Sequence, residues 1–150
     1  MLIYMDNCCY NRPYDDQSQK RIADETKAVM FIQNEIMHSN IELVSSFILY
    51  AENFMDKNTF RRLAVRQFMD TYSSVHVSSK NKKLIDTQAM QLMNFGLHYM
   101  DACHVACAVL AGCDYFLSTD DRLIKELKRH SLQTEIMNPV DFVKRLGVTI

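Results

Sequence analysis

Acidic residues follow two of the apolar segments in this sequence, a position in which a carboxylate is rarely without a role. The stretch LIYMDNCC passes from four apolar residues directly into Asp6, and YFLSTDD ends in Asp120 and Asp121. Two further acids, Glu52 and Asp101, lie in segments whose apolar spacing predicts helices. Acids from four distant segments would form a single site if the fold brings those segments together.

A cluster of carboxylates predicts a bound dication. Like charges at short range raise one another's pKa and favour protonation, so the charged cluster is stable only around a cation. Oxygen ligands suit Mg²⁺ or Mn²⁺, and such a centre activates water and stabilises the charge that develops on a phosphodiester. The predicted chemistry is metal-dependent hydrolysis of phosphodiester bonds.

Each acid also has an ordinary structural explanation. Asp6 fits a loop start or a helix cap as well as it fits a metal ligand, and a solvated helix face is the better explanation for Glu52 taken alone. Asp101 suits the positive end of a helix dipole, and Asp120 and Asp121 are suitable residues to begin the next helix. The hypothesis therefore depends on the combination of these acids and not on any single one.

The segments that must position these acids alternate between strands and helices. We predict strands at 2–5, 41–45, 75–77, 115–118 and 135–137, and helices at about 18–38, from 47, at 59–72, 84–96, 99–110, 121–130 and 139–146. Ser46 is a suitable cap for the helix that carries Glu52, and the polar run 11–19 is predicted as a loop. The alternation predicts an α/β fold with a central parallel sheet and helices on both faces. Sites in such sheets lie outside the carboxyl ends of the strands, where Asp6 and Asp120 are expected.

Length and composition favour one globular domain, residues 1–150. Apolar residues make up 48% and charged residues 23% of the 150 positions, with three Gly and two Pro, which excludes a disordered or fibrous protein. No segment has the length of a membrane span and no signal-peptide pattern is present, so we expect a cytoplasmic protein without a membrane partner. Structural zinc is disfavoured because Cys103-His104-x-x-Cys107 has no second pair of ligands.

The formal net charge of −1 conceals a basic middle region. Between residues 57 and 83 the bases outnumber the acids, of which Asp70 is the only one. The bases considered as contacts to RNA phosphates are Arg61, Arg62, Arg66, Lys80, Lys82 and Lys83. A groove that binds phosphates and an ordinary solvated helix surface explain these charges equally well.

Four blocks of the sequence resemble the PIN domain, the fold of the VapC-type toxin ribonucleases. LIYMDNCC is similar to the opening strand and Asp of that family, and SFILYAEN has its Ser six residues before a Glu. MDACHVACAVLAGCDYFLSTDD is close to its pattern of Asp, alanine-rich helix, Gly, strand, Ser or Thr and Asp, and EIMNPVDFV is like its closing strand and helix. The resemblance covers nearly the whole chain and implies a PIN-like fold with a short central parallel sheet.

The resemblance also implies roles for individual residues. The catalytic acids that it implies are Asp6, Glu52, Asp101 and Asp120. Of these, Asp6, Asp101 and Asp120 would bind the metal, Mg²⁺ or Mn²⁺. Ser118 matches the Ser or Thr that supports such a site through a hydrogen bond.

Three positions near these acids leave alternatives open. Either Asp of STDD matches the fourth acid; counting from the preceding strand favours Asp120, with Asp121 as an outer or alternative ligand. Asn7 stands where Thr is commoner, which leaves its contribution to the site open. His104 shares a helix face with Asp101, and we interpret it as a buried, hydrogen-bonded His in preference to a ligand.

The resulting hypothesis is a Mg²⁺- or Mn²⁺-dependent endoribonuclease that acts as the toxin of a toxin–antitoxin pair. The resemblance further implies an RNA substrate, an antitoxin partner and a homodimer. The alternative is a catalytically inactive PIN-like module that binds RNA or serves as a scaffold. A phosphatase or phosphoreceiver domain fits less well, since the sequence has neither an Asp pair near the first strand nor a Lys just after a late strand.

Overall fold

A computed structural model describes residues 1–150 and contains five short β-strands. Their bounds are β1 Leu2–Met5, β2 Glu42–Ser46, β3 Ser73–Val77, β4 Tyr115–Leu117 and β5 Glu135–Met137. All neighbouring strands are parallel, and they pair in the order β3-β2-β1-β4-β5. The predicted α/β fold with a central parallel sheet is therefore confirmed.

Eight α-helices connect and cover the strands. Their bounds are α1 Asn7–Asn11, α2 Lys20–Met37, α3 Phe47–Phe54, α4 Thr59–Tyr72, α5 Lys82–Met93, α6 Tyr99–Leu110, α7 Asp121–Lys128 and α8 Pro139–Arg145. Each predicted helix is present. The prediction missed α1, and the predicted loop 11–19 was wrong in part because it contains a 3-10 helix at Arg12–Tyr14. Five residues are too few for a helical period to be visible in a sequence.

The sheet is doubly wound. From β1 the chain proceeds to β2 and β3 on one side, and it later returns to form β4 and β5 on the other side of β1. Because crossovers between parallel strands are right-handed, this reversal places helices on both faces of the sheet. Helix α2 packs against α8, and α5 packs against α6. None of the eight helices is both long enough and apolar enough to cross a membrane.

Helix α6 and strand β1 form the centre of the core. All residues from 102 to 108 are buried, which explains the alanine-rich sequence of α6, because small side chains allow a helix to pack closely on all sides. Ile3, Tyr4 and Met5 of β1 have no exposed surface. Asp6, which follows β1, and Asp101 and His104, which lie on α6, therefore extend from well-packed elements.

Candidate active site

The candidate site lies where the strand order reverses, between β1 and β4. In register, Met5 pairs with Leu117, and the Asp6 N–H donates to the Leu117 carbonyl at 2.9 Å. Asp6 thus follows β1 at the same edge at which Ser118 follows β4. In doubly wound sheets the crevice at this reversal, outside the carboxyl ends of the strands, is the usual position of a ligand site.

Asp6 is a buried carboxylate, with 8% of its surface exposed. Its Oδ2 accepts a hydrogen bond from the Ser118 hydroxyl at 3.1 Å, and its Oδ1 accepts from the Asn7 N–H at 2.8 Å as the N-cap of α1. Burial raises the pKa of Asp6, and the charge of Glu52 raises it further, against the opposing effects of His104 and Ser118. The charged form of Asp6 is therefore disfavoured unless a cation lies nearby.

Glu52 reaches the site from the second turn of α3. The Ser46 hydroxyl accepts from the Leu49 N–H at 3.1 Å, so the cap predicted for this helix is confirmed. His104 Nε2 lies 2.7 Å from Glu52 Oε2 and 4.0 Å from Asp6 Oδ1. One oxygen from each acid and one imidazole nitrogen lie within 4.8 Å of one another, a spacing that suits a single metal ion.

His104 is the site residue whose importance the sequence did not reveal. Its surface is 1% exposed and both of its ring nitrogens are hydrogen-bonded, which confirms the interpretation as a buried, satisfied His. The structure adds that it lies between two carboxylates. Burial lowers the pKa of His104, but the hydrogen bond to Glu52 and the charges of Asp6 and Asp101 outweigh burial and leave the pKa raised. The signal available in the sequence was its spacing from Asp101 on one helix face.

Tyr4 and Ser46 extend the hydrogen bonding of His104 into the core. The Tyr4 hydroxyl lies 2.6 Å from His104 Nδ1 and 2.7 Å from Ser46 Oγ. Tyr4, Ser46 and His104 are all buried, and burial raises the pKa of Tyr4, so its hydroxyl stays neutral. Consecutive hydrogen bonds thus connect Ser46, the cap of α3, through Tyr4 and His104 to Glu52. Nothing in the spacing of Tyr4 and Ser46 in the sequence predicts this contact.

Asp101 and Asp120 lie next to this close group but outside it. Asp101 is in the first turn of α6, and burial raises its pKa, as do the charges of Asp6 and Asp120. Asp120 is the N-cap of α7, and its Oδ1 accepts from two backbone N–H groups at 3.0 and 3.2 Å. Asp101 and Asp120 line one cleft. The structure therefore brings all four predicted acids to one edge of the sheet.

Asp121 binds a side chain of another helix, whereas Asp120 accepts from the backbone of α7. The Arg21 guanidinium binds both of its carboxylate oxygens, at 2.6 and 2.7 Å, and these hydrogen bonds lower the pKa of Asp121. Asp121 does not line the cleft that Asp101 and Asp120 share. The geometry therefore favours Asp120 over Asp121 as the fourth acid.

Half of the basic residues considered from the sequence have acidic partners. Arg61 pairs with Asp56 at 2.5 Å, Lys82 pairs with Asp86 at 2.8 Å, and Arg66 lies 3.8 Å from Asp70. Arg62 donates to the backbone carbonyl of Asp56, whereas Lys80 and Lys83 form no ion pair. These partners reduce the charge that the region presents to a phosphate backbone.

Comparison with known proteins identifies the fold. No protein-family model matches the chain, and no curated protein matches it. Among solved structures, VapBC2 from Rickettsia felis bound to a DNA fragment from its promoter is similar at a TM-score of 0.56 and 14% identity, covering 92% of this chain and 98% of that one. FitAcB from Neisseria gonorrhoeae is similar at a TM-score of 0.57 and 13% identity, covering 91% of this chain and 97% of that one. FitAB bound to the IR36 DNA fragment is similar at a TM-score of 0.52 and 14% identity, covering 92% of this chain and 95% of that one.

The chain has a PIN-like fold. The resemblance seen in the sequence blocks is therefore confirmed at the level of fold. The match extends over 91–92% of this chain and 97–98% of those chains.

Proposed function

We propose that this chain is a metal-dependent endoribonuclease and the toxin of a toxin–antitoxin pair, with residues 1–150 as one PIN-like nuclease domain. The observation that carries the proposal is the convergence of Asp6, Glu52, Asp101 and Asp120 where the strand order reverses. Burial, together with the neighbouring carboxylates, raises the pKa of Asp6 and of Asp101, so their charged forms are unfavourable in the absence of a cation. A functional role for these acids explains why the fold holds four carboxylates close together.

The residues present fit a divalent metal. Asp6, Asp101 and Asp120 would hold Mg²⁺ or Mn²⁺ through carboxylate oxygens, the ligand type that both ions prefer. His104 Nε2 also lies near Asp6 and Glu52, but it is hydrogen-bonded to Glu52, so we assign His104 to orienting that acid and not to binding the metal. When bound, the metal supplies positive charge that activates water and stabilises the charge developing on a phosphodiester.

The protein's own side chains prepare this site. Ser118 orients Asp6 by donating to Oδ2, and it also accepts the Asp120 N–H at 3.1 Å, so one hydroxyl links two of the acids. His104 orients Glu52, whose side chain remains 34% exposed and can contact water and substrate. No side-chain nucleophile is required, since water is the attacking group.

Protein partners belong to the same proposal. The resemblance to VapC-type toxins implies an antitoxin and a homodimer, and either partner would need an apolar surface. Phe54, Met55 and Phe60 at the junction of α3 and α4 are 74%, 75% and 75% exposed. A second exposed apolar group, with Met90 at 66%, lies on α5. Light scattering of the purified chain measures whether it is a dimer.

RNA cleavage tests the proposed activity directly. A panel of RNAs and single-stranded DNAs is incubated with Mg²⁺, Mn²⁺ or EDTA and the wild type, Asp6→Asn or Asp101→Asn. We expect cleavage of RNA by the wild type with metal only, and at least about 100-fold slower cleavage by either variant. Asp121→Asn is the matched control. It removes the same charge from the residue next to Asp120, but Asp121 is bound to Arg21 and does not line the cleft.

The proposal fails if no RNA is cut under any metal condition, or if the two variants cut as fast as the wild type while circular dichroism shows them folded. Binding of RNA without cleavage would instead support the inactive PIN-like module. In that case binding should weaken steeply with salt, because contacts to phosphates release counterions.

A further inference from the structure

Two nitrogen-bearing side chains that were not among the site residues predicted from the sequence lie in the cleft that Asp101 and Asp120 share. His98 is the N-cap residue of α6, and Arg122 is the second residue of α7. Arg122 Nη1 lies 3.3 Å from His98 Nε2, so the guanidinium donates to the imidazole. The cleft therefore holds a cation directly beside its acids.

The position of Arg122 is tied to that of the acids. Its backbone N–H donates to Asp120 Oδ1 at 3.0 Å, and His98 lies three residues before Asp101 at the start of the same helix. Each of two helix starts thus supplies one acid and one nitrogen-bearing side chain. His98 and Arg122 are both exposed at these helix starts, so a ligand that enters the cleft can reach the guanidinium.

The charge of Arg122 is available to a ligand. Three carboxylates line the cleft, yet the guanidinium forms no ion pair with any of them; Glu126, one turn along α7, lies 3.9 Å from Arg129 instead. Nη1 donates only to His98, and the Nε and Nη2 groups of Arg122 have no partner. Arg61 and Lys82, by contrast, are already paired with carboxylates.

We propose that Arg122, oriented by His98, binds a backbone phosphate of the RNA substrate beside Asp101 and Asp120. This inference rests on the proposed function and names how that site holds its substrate. A phosphodiester approaching a cluster of acids is repelled unless a cation faces it, and the planar guanidinium presents paired N–H donors that match two phosphate oxygens. His98 accepts one N–H and so keeps the guanidinium directed into the cleft.

Binding of a fluorescein-labelled single-stranded RNA of mixed sequence, measured by anisotropy with Mg²⁺ in the Asp6→Asn background, tests this subsite. We expect Arg122→Ala to weaken binding about tenfold or more, the effect of losing a charge-assisted hydrogen bond. The slope of log affinity against log salt should fall in magnitude by about 0.7, the value for one phosphate contact on a single strand. Arg122→Lys should give an intermediate loss, because a point charge replaces the planar donors.

Arg129→Ala is the matched control. It removes the same charge at the C-cap of α7, from a side chain that is 62% exposed and outside the cleft. We expect it to change RNA affinity by less than about twofold, since general surface charge contributes little at physiological salt. His98→Gln, which keeps a hydrogen-bond acceptor, should bind RNA more tightly than His98→Ala if the imidazole acts by orienting Arg122.

Equal weakening by Arg122→Ala and Arg129→Ala would overturn the subsite, as would unchanged binding by Arg122→Ala. These outcomes are distinct from failure of the proposed function. If the wild type cuts RNA and Arg122→Ala binds RNA normally, only the subsite is wrong. If the wild type neither cuts nor binds RNA, both proposals are wrong.

Discussion

Replacing Tyr4 with Phe removes one buried hydroxyl and leaves the rest of the side chain in place. The hydroxyl lies 2.6 Å from His104 Nδ1 and 2.7 Å from Ser46 Oγ, and Tyr4 has no exposed surface. The Phe ring retains the stacking on Phe116, whose centroid lies 5.3 Å away. Only the hydrogen bonds that connect the core to the site are therefore lost.

The expected loss of stability follows from the groups left without partners. Ser46 Oγ still accepts the Leu49 N–H, but the buried His104 Nδ1 loses its only partner. An unsatisfied buried polar group costs about 1–3 kcal/mol. For a chain of this length each kcal/mol corresponds to about 2–4 °C in Tm, so Tm should fall by about 2–12 °C.

Tyr10→Phe provides the matched control. Tyr10 is 1% exposed, and its hydroxyl is buried without a hydrogen-bond partner. Removing an unsatisfied hydroxyl should leave the free energy of unfolding unchanged or increase it. Thermal and urea unfolding of both variants, followed by circular dichroism, measure the difference. An equal loss of stability in Tyr4→Phe and Tyr10→Phe would refute the reasoning from hydrogen bonds.

Metal affinity decides whether the Tyr4 hydrogen bonds serve the site as well as the fold. Loss of the partner that orients a group at a metal site typically lowers metal affinity about 10- to 100-fold. We expect Tyr4→Phe to weaken Mn²⁺ binding within that range and Tyr10→Phe to leave it unchanged, as measured by the electron paramagnetic resonance of free Mn²⁺. Unchanged affinity in Tyr4→Phe would show that the hydrogen bonds from Tyr4 to His104 stabilise the fold alone.

Three further substitutions test the acids and their partners. Burial and neighbouring carboxylates raise the native pKa of Asp101 above its unfolded value, so its charge destabilises the metal-free protein as pH rises through that interval. Asp101→Asn should therefore be more stable than the wild type in urea at pH 7 with EDTA, and the difference should vanish below about pH 4. Asp121→Asn should lower the free energy of unfolding by at most about 1 kcal/mol, because its pair with Arg21 is exposed, and a larger loss would contradict this. Ser118→Ala should weaken Mn²⁺ binding by misorienting Asp6, and titration calorimetry measures whether affinity falls.

The elements that carry the acids could be predicted locally, with the exception of α1. Apolar runs and helical spacing indicate β1, β4 and α6, and Ser46 is recognisable as a cap because a hydroxyl before an apolar helix satisfies free N–H groups. Helix α1 was missed because its five residues, Asn-Cys-Cys-Tyr-Asn, show no helical spacing of apolar side chains. The error is local and leaves the position of Asp6 unchanged.

The choice between Asp120 and Asp121 shows why adjacent acids are hard to assign from a sequence. Both belong to STDD, and either side chain suits a helix start. Asp120 caps α7 and faces the cleft, whereas Arg21, one hundred residues away in the chain, binds Asp121. A contact between such distant residues depends on how α2 and α7 pack.

The sequence by itself determined the alternation of strands and helices and offered four candidate acids, two just after strands and two on helices, because apolar periodicity and residue type are local properties. Tertiary structure decided which groups surround those acids. The strand order brings Asp6 beside Ser118, and the packing of α6 against the sheet places His104 between Tyr4 and Glu52. Likewise, only the meeting of the α6 and α7 starts places a cation in the cleft. Hydrogen bonds and charges act over a few ångströms, so their partners follow from the fold and not from spacing along the chain.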